Sequence, residues 1–324
     1  MNLCERVRII FRIIHMKRLS QIEIKQLKRK LDQESDLLKR RKYLFKELGL
    51  LRFIENREQI ALGDLPLHLD VYRAAKKDPV ILFFPGIGTY SEIYCEFLYS
   101  LSSKGYNVVG MDPRGHGYSG GERGLYSVKD TEKDIAQVVR YIKEIFHDNI
   151  ILLGISIGAP VLLNYAEKDT SIKKVICHTL FLTEFPPDFF HAWGWTTLKF
   201  SSIFWPYLKV NLKSFIDIDS LMRSHIYGEL VEYDELFVWE YSIRTLADLY
   251  TRKSRIVHEK LQFDLAVIMG ENDEVMKPDY VRDFLGKIVH PSEFFMIPHG
   301  THMLPFNHIT ELNDLIHKWI KGSK

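Results

Sequence analysis

Apolar residues recur at three- and four-residue steps through the start of the chain: Leu3, Val7, Ile10, Phe11 and Ile14, then Leu27, Leu31, Leu38 and Phe45. That period is helical, and no Pro or Gly interrupts it before Gly49. Residues 1–48 are therefore predicted to form a helical arm. A long coiled coil is disfavoured, because Glu34 and Arg41 fall where its seam should be apolar. From Gly49 the pattern changes to short apolar runs punctuated by turn signals. Residues 50–55 and 67–72 are predicted as paired strands entering a sheet, with Gly63-Asp64 as a nearby turn. Alternation follows: strand 80–84, helix 91–104, strand 106–111, helix 128–146, strand 149–153, helix 159–168 and strand 174–178. It stops near Leu182 and resumes with strand 265–269, helix 278–285, strand 293–297 and helix 311–321. Apolar strands alternating with helices of this length imply an α/β fold, a mostly parallel, doubly wound sheet covered on both faces. Such a sheet carries its active site at the carboxyl ends of its strands.

This divides the chain into an arm (1–48), a core (49–183 and 263–324) and an insertion (184–262). The insertion is rich in aromatic residues, among them Phe189, Phe190, Trp193, Trp195, Phe200 and Trp205, with Pro186-Pro187 at its entrance. An insertion between strands of such a sheet is expected over the active-site edge. Its aromatic residues suit an apolar substrate channel or, alternatively, a small core of its own.

Charge and cysteine content narrow the function classes. The net charge of +2 gives no global argument for a nucleic-acid partner. Its distribution is uneven: residues 1–50 hold 14 Lys and Arg against 6 Asp and Glu, so the basic character belongs to the arm. A basic amphipathic arm suits peripheral contact with an anionic membrane surface through residues 1–18; it suits equally a helix packed on its own domain or on a second subunit. Arg6, Arg8, Arg12, Lys17 and Arg18 break the continuous apolar region that a secretory signal needs. The three cysteines, Cys4, Cys95 and Cys177, show neither a disulfide framework nor metal-ligand spacing. A cytoplasmic location is the expectation, with peripheral contact at a membrane surface as one reading of the arm.

The chemistry centres on Gly154-Ile155-Ser156-Ile157-Gly158, which follows an apolar strand and opens a helix. G-x-S-x-G in that context forms a nucleophile elbow, a strained turn that lifts the serine hydroxyl clear of the sheet. Ser156 is the candidate nucleophile. A serine needs a base, usually a histidine oriented by a carboxylate. After strand 265–269 stand Glu271, Asp273 and Glu274, with Asp273 preferred as the acid; after strand 293–297 stand His299 and His302, with His302 preferred as the base. The chain order Ser, Asp, His is that of α/β hydrolases.

These segments, with the run Asp112-Pro113-Arg114-Gly115-His116-Gly117-Tyr118-Ser119, make residues 50 onward resemble the α/β hydrolase superfamily, most closely its monoacylglycerol lipase and lysophospholipase branch. The resemblance implies a helical cap for the insertion. It also implies an oxyanion hole formed by the backbone N–H groups of Ile87 and Ile157, and a structural role for the loop containing His116. Where that branch usually carries His-Gly before the first donor, this chain has Pro85-Gly86. Proline supplies no side-chain hydrogen bond, yet backbone donors survive the change. The implied activity is serine-dependent hydrolysis of a small-molecule acyl-lipid ester, monoacylglycerol or lysophospholipid in type, with no cofactor and no metal. A thioesterase or acyltransferase would use the same triad. A silent scaffold on the same fold is the reading from another class.

Overall fold

The computed structural model describes residues 19–74, 79–214, 216–217, 221 and 226–322. Residues 1–18, on which the expected membrane contact of the arm rests, lie outside the described residues.

The strands are β1 (Glu58–Leu62), β2 (Leu67–Tyr72), β3 (Val80–Phe84), β4 (Asn107–Met111), β5 (Ile150–Ile155), β6 (Lys174–His178), β7 (Lys209–Asn211), β8 (Glu240–Ser242), β9 (Asp264–Gly270) and β10 (Ser292–Ile297). The helices are α1 (Gln21–Gln33), α2 (Leu37–Glu47), α3 (Leu51–Ile54), α4 (Cys95–Ser103), α5 (Val128–Ile145), α6 (Gly158–Ala166), α7 (Phe189–Phe204), α8 (Ile226–Leu230), α9 (Ile243–Tyr250), α10 (Pro278–Leu285), α11 (Leu304–Asn307) and α12 (Ile309–Lys321). Eight strands form one sheet in the order β1-β2-β4-β3-β5-β6-β9-β10. It is parallel from β4 to β10 and antiparallel where β2 joins β1 and β4. Every residue of β3, β4 and β5 is buried, as a parallel sheet covered on both faces requires. The register, Phe84 beside Gly154 and Ile155 beside His178, aligns the carboxyl ends of β3, β5 and β6. The loops after these strands therefore share one edge.

Two local expectations fail. Residues 50–55 are not the entry strand: Leu51–Ile54 is a helical turn, and β1 pairs with β2 instead. Leu50 and Phe53 are buried, with the Phe53 ring 5.5 Å from that of Tyr99 on α4. β1 is an edge strand with no buried residue, so its weak apolar signal was outbid by a stronger run that packs as a helix. The arm is not one helix either. Asp36 accepts from the Lys39 N–H at 3.1 Å and starts α2 afresh, a capping preference strong enough to break a helix without Pro or Gly. α1 begins at a capping box between Ser20 and Glu23.

Between residues 19 and 48 the arm packs on its own molecule. Leu27, Leu31, Leu44 and Phe45 belong to the main core. Arg41 on α2 enters a largely buried pocket where it pairs with Glu92, from the segment after β3, and with Asp234 of the insertion at 2.9 Å. The insertion, spanning β6 to β9, combines helices with the two-stranded antiparallel sheet of β7 and β8. Its longest helix, α7, buries none of its residues. Phe189, Phe190, Phe200 and Phe204 are 62–77% exposed, so these aromatics form no core of the insertion.

Candidate active site

β5 runs into α6 through Ser156, whose φ of 52° is left-handed, a conformation that β-carbon-bearing residues occupy at a cost. The Ser156 N–H donates to the His178 carbonyl and its own carbonyl accepts from Ala159, both at 2.9 Å. The flanking glycines permit the turn: a Cβ on Gly154 would stand 2.5 Å from the Gly158 oxygen, and one on Gly158 2.5 Å from the Pro85 oxygen. Those distances exclude any side chain at either position.

The loop after β9 presents Asp273, buried, and the loop after β10 presents His302. His302 Nδ1–H donates to Asp273 Oδ2 at 2.9 Å. The same oxygen accepts from the Thr179 hydroxyl at 2.6 Å, while Oδ1 accepts from the N–H groups of Val275 and Met276 at 2.9 and 3.0 Å. Burial opposes ionisation of this carboxylate, but the facing His302 and the hydrogen bonds from His302 and Thr179 outweigh it and bring the pKa down to about 2. The rival residues do other things. Glu274 accepts from the His302 backbone N–H at 3.0 Å, and Glu271 accepts from that of His299, whose ring points into solvent. Ser156 and His302 line one cavity, with no hydrogen bond between them here. Such bonds commonly close only when substrate is bound.

Gly86 and Ile87 line the same cavity, and Ile157 stands at the amino end of α6. The cavity holds about 820 Å³ and is walled mainly by apolar side chains, including Trp195 and Leu198 of α7, Leu246 of α9, Met303 and Phe306. Among the described lining residues the charged groups besides histidine are Asp217 and Glu274. α7 thus faces the cavity with Trp195 and Leu198 while Phe200 and Phe204 face out.

Two neighbours escaped sequence reasoning. Thr179 has a φ of 56°, a rare state for a β-branched residue, and this turn aims its hydroxyl at Asp273. His178 is buried with its ring 5.3 Å from that of His302 and with both ring nitrogens unpartnered. Burial, with the charge of His302 second, lowers its pKa to about 3. Both residues stand at the carboxyl end of β6, a position that could have flagged them. The loop containing His116 reaches the Gly88 segment through the Tyr241 hydroxyl. Asp112 accepts from the Ser91 and Tyr118 N–H groups at 2.7 and 3.0 Å, and Arg114 pairs with Asp134. Among the described residues no group of three or more His, Cys, Asp or Glu is placed to hold a metal ion, and no helix is long and apolar enough to cross a membrane.

A mostly parallel sheet with an elbow serine between strand and helix defines an α/β hydrolase. The model of the serine aminopeptidase S33 family matches residues 75–308, and the chain belongs to that family. It is 26% identical over 261 residues to the serine hydrolase BPHL of Mus musculus, covering 79% of this chain and 84% of that protein. The human serine hydrolase BPHL is 24% identical over 269 residues, covering 81% and 86%. Among solved structures, the monoacylglycerol lipase of Paleococcus ferrophilus superposes with a TM-score of 0.65 at 20% identity, covering 78% of this chain and 98% of that one. A soluble variant of monoglyceride lipase from Saccharomyces cerevisiae, in complex with a substrate analog, gives 0.66 at 16% identity, covering 81% and 94%. These superpositions establish the fold. The chain is an enzyme of the serine hydrolase kind.

Proposed function

We propose that the protein hydrolyses the ester of a single-chain acyl lipid, with Ser156 as nucleophile, His302 as base, Asp273 as its orienting acid and the N–H groups of Ile87 and Ile157 as the oxyanion hole. The observation that carries this reading is that Ser156 and the Asp273-bonded His302 both line one apolar cavity of about 820 Å³. That volume sits in the upper part of the range for ligand sites. His302 removes the serine proton as Oγ attacks the carbonyl, and the two N–H groups stabilise the oxyanion. His302 then protonates the leaving alcohol and activates water to release the acid. Asp273, ionised at any physiological pH, fixes the tautomer and stabilises the imidazolium.

A neutral head group is favoured over a phosphate-bearing one, since Glu274 would repel an anion at the cavity. Monoacylglycerol meets this description, and lipases for such esters share the fold. The outward aromatic face of α7 supports loading from a lipid surface, because contiguous exposed apolar side chains mark such contacts.

The test is labelling by a fluorophosphonate, with the modified peptide located by mass spectrometry, followed by turnover of monoacylglycerol, lysophosphatidylcholine, acyl thioester and aminoacyl ester. Stoichiometric labelling at Ser156, its loss in Ser156→Ala, and preference for monoacylglycerol are expected. Preference for the thioester or aminoacyl ester would move the substrate assignment; an unlabelled, folded wild type would defeat the catalytic one.

A further inference from the structure

The loop that carries Ile87 is pinned by three successive peptide groups. The Gly86 carbonyl accepts from the Thr89 N–H at 3.3 Å and from its hydroxyl at 2.8 Å. Because a trans peptide directs its C=O and N–H to opposite sides, this turns the Ile87 N–H of the same unit the other way. The next peptide donates its Gly88 N–H to the Tyr241 hydroxyl at 2.8 Å, and the Gly88 carbonyl accepts from the Val238 N–H at 2.9 Å. Tyr241 and Val238 both belong to the insertion, in and just before β8. Gly88 itself has a φ of 75°, and a Cβ there would meet the Phe237 ring at 2.6 Å. The insertion therefore closes directly on this loop.

A tyrosine hydroxyl donates one hydrogen bond while accepting others, and here the direction of its proton is set by a second residue. His116 Nδ1–H donates to the Arg114 carbonyl at 3.0 Å, which leaves Nε2 as an acceptor. Nε2 faces the Tyr241 hydroxyl within hydrogen-bonding distance. The hydroxyl proton is thereby drawn to His116, and the oxygen lone pairs are left for Gly88. Both side chains are fully buried. Burial also lowers the His116 pKa to about 4, so the neutral ring that this chain of bonds requires persists at neutral pH.

We infer that Tyr241 is a positioning residue for the oxyanion hole, and that His116 acts through it by taking its hydroxyl proton and holding its oxygen in place for the Gly88 N–H. The inference rests on the assignment of Ile87 as an oxyanion donor. It gives the Pro85 loop a tether from the insertion, where the related branch carries a histidine in the loop itself. Without the Tyr241 oxygen, the Gly88 N–H is buried and unpaired, and the Ile87–Gly88 peptide gains reason to rotate. The donor one residue earlier then loses its aim. Misplacing a catalytic group by about 1 Å costs up to about 100-fold in rate.

The experiment compares the full-length wild type with Tyr241→Phe, His116→Leu, His116→Gln and the Tyr241→Phe/His116→Leu double variant. Each is assayed on a soluble short-chain ester, and for binding to an alkyl boronic acid and to an unreactive ether analogue of the substrate. The boronic acid accepts Ser156 Oγ and becomes tetrahedral, so it reports on the oxyanion hole; the ether reports on ground-state binding alone. Tyr241→Phe is expected to lower kcat about 10- to 100-fold with KM little changed. Boronate affinity should fall in parallel, with ether affinity unchanged. His116→Leu should behave alike, the double variant should be no worse than Tyr241→Phe, and His116→Gln, which offers an amide oxygen to the hydroxyl, should recover most of the loss. Wild-type kcat and boronate affinity in Tyr241→Phe would overturn the inference, as would parallel loss of ether binding or additive losses in the double variant. A wild type that fails to react with fluorophosphonate overturns the catalytic assignment and this inference together; normal labelling with an indifferent Tyr241→Phe overturns this inference alone.

Discussion

Replacing Thr179 tests whether the acid of the proposed triad is held by an element that no motif announces. Its hydroxyl donates to Asp273 Oδ2 at 2.6 Å, and the residue is buried in a left-handed conformation. Thr179→Val keeps the shape and removes the donor. A hydrogen bond to a charged group contributes about 1.5–3 kcal/mol. Asp273 retains Val275, Met276 and His302 as donors, so the lower half of that range, about 1.5–2 kcal/mol, is expected. The remaining ring contact keeps His302 oriented, so turnover should fall by no more than about tenfold. Thr179→Ser keeps the donor and removes the β-branch from a conformation that disfavours it, so it should be at least as stable as the wild type. With one donor fewer, the Asp273 pKa should rise from about 2. A carboxylate whose folded pKa is depressed stabilises the fold above its unfolded pKa and loses that contribution as pH falls through the folded value. The acid loss of stability from this group should therefore be smaller, and complete at a higher pH, in Thr179→Val. Urea unfolding at pH 7 and at several pH values down to 3 measures the stabilities and their acid dependence, and a soluble-ester assay measures turnover. A Thr179→Val protein as stable as the wild type, or a Thr179→Ser protein less stable than Thr179→Val, would refute the reasoning.

Three further outcomes are expected. Burial keeps His178 neutral with a pKa near 3, whereas in the unfolded chain it protonates near 6.5. Stability should thus fall as pH drops through that window, by roughly 3 kcal/mol at pH 4 from this group; His178→Phe should flatten the slope between pH 7 and pH 4, and an unchanged slope in urea unfolding would count against it. Arg41→Met leaves Glu92 and Asp234 short of a shared cation and should destabilise by about 3–5 kcal/mol, an effect that unfolding free energies would contradict if it stayed below about 1 kcal/mol. Phe200→Glu with Phe204→Glu on the outward face of α7 should weaken sedimentation with zwitterionic vesicles by roughly 100-fold or more, given about 1.5–3 kcal/mol per aromatic ring buried, while leaving soluble-ester turnover unchanged; equal vesicle binding would remove α7 from the lipid contact.

The legible parts of the chain were those where one local signal had no competitor. β6, α10 and the elbow around Ser156 each combine an apolar period with clean punctuation, and Lys174–His178 and Pro278–Leu285 fall on the expected residues. β1 was not legible because an edge strand needs few apolar side chains. The break at Asp36 was missed because capping competes with periodicity over only three residues. Asp273 and His302 were accessible from chain order, since the loops that follow β9 and β10 must meet at one sheet edge. Thr179 and Tyr241 were not: a threonine turned left-handed and a tyrosine from the insertion act through tertiary contacts alone. The role of the aromatics of α7 stayed open in the sequence for a related reason. Composition reports that they are apolar, whereas only the helix orientation tells which face a cavity and which face solvent.

The burial of Arg41 between Glu92 and Asp234 bears on where this protein can be cut. The family match begins at residue 75, yet the first two strands, the helices before them and a cation seated between two carboxylates all precede it. The stretch that the family model matches is shorter than the stretch that folds. A truncated product starting at the family boundary would uncover the core surface now under Leu31, Leu44 and Phe45, and it would leave two acidic groups facing each other without their counterion. The helical hairpin of residues 21–47 is in this sense a wall of the catalytic domain supplied from outside the stretch that the family model matches.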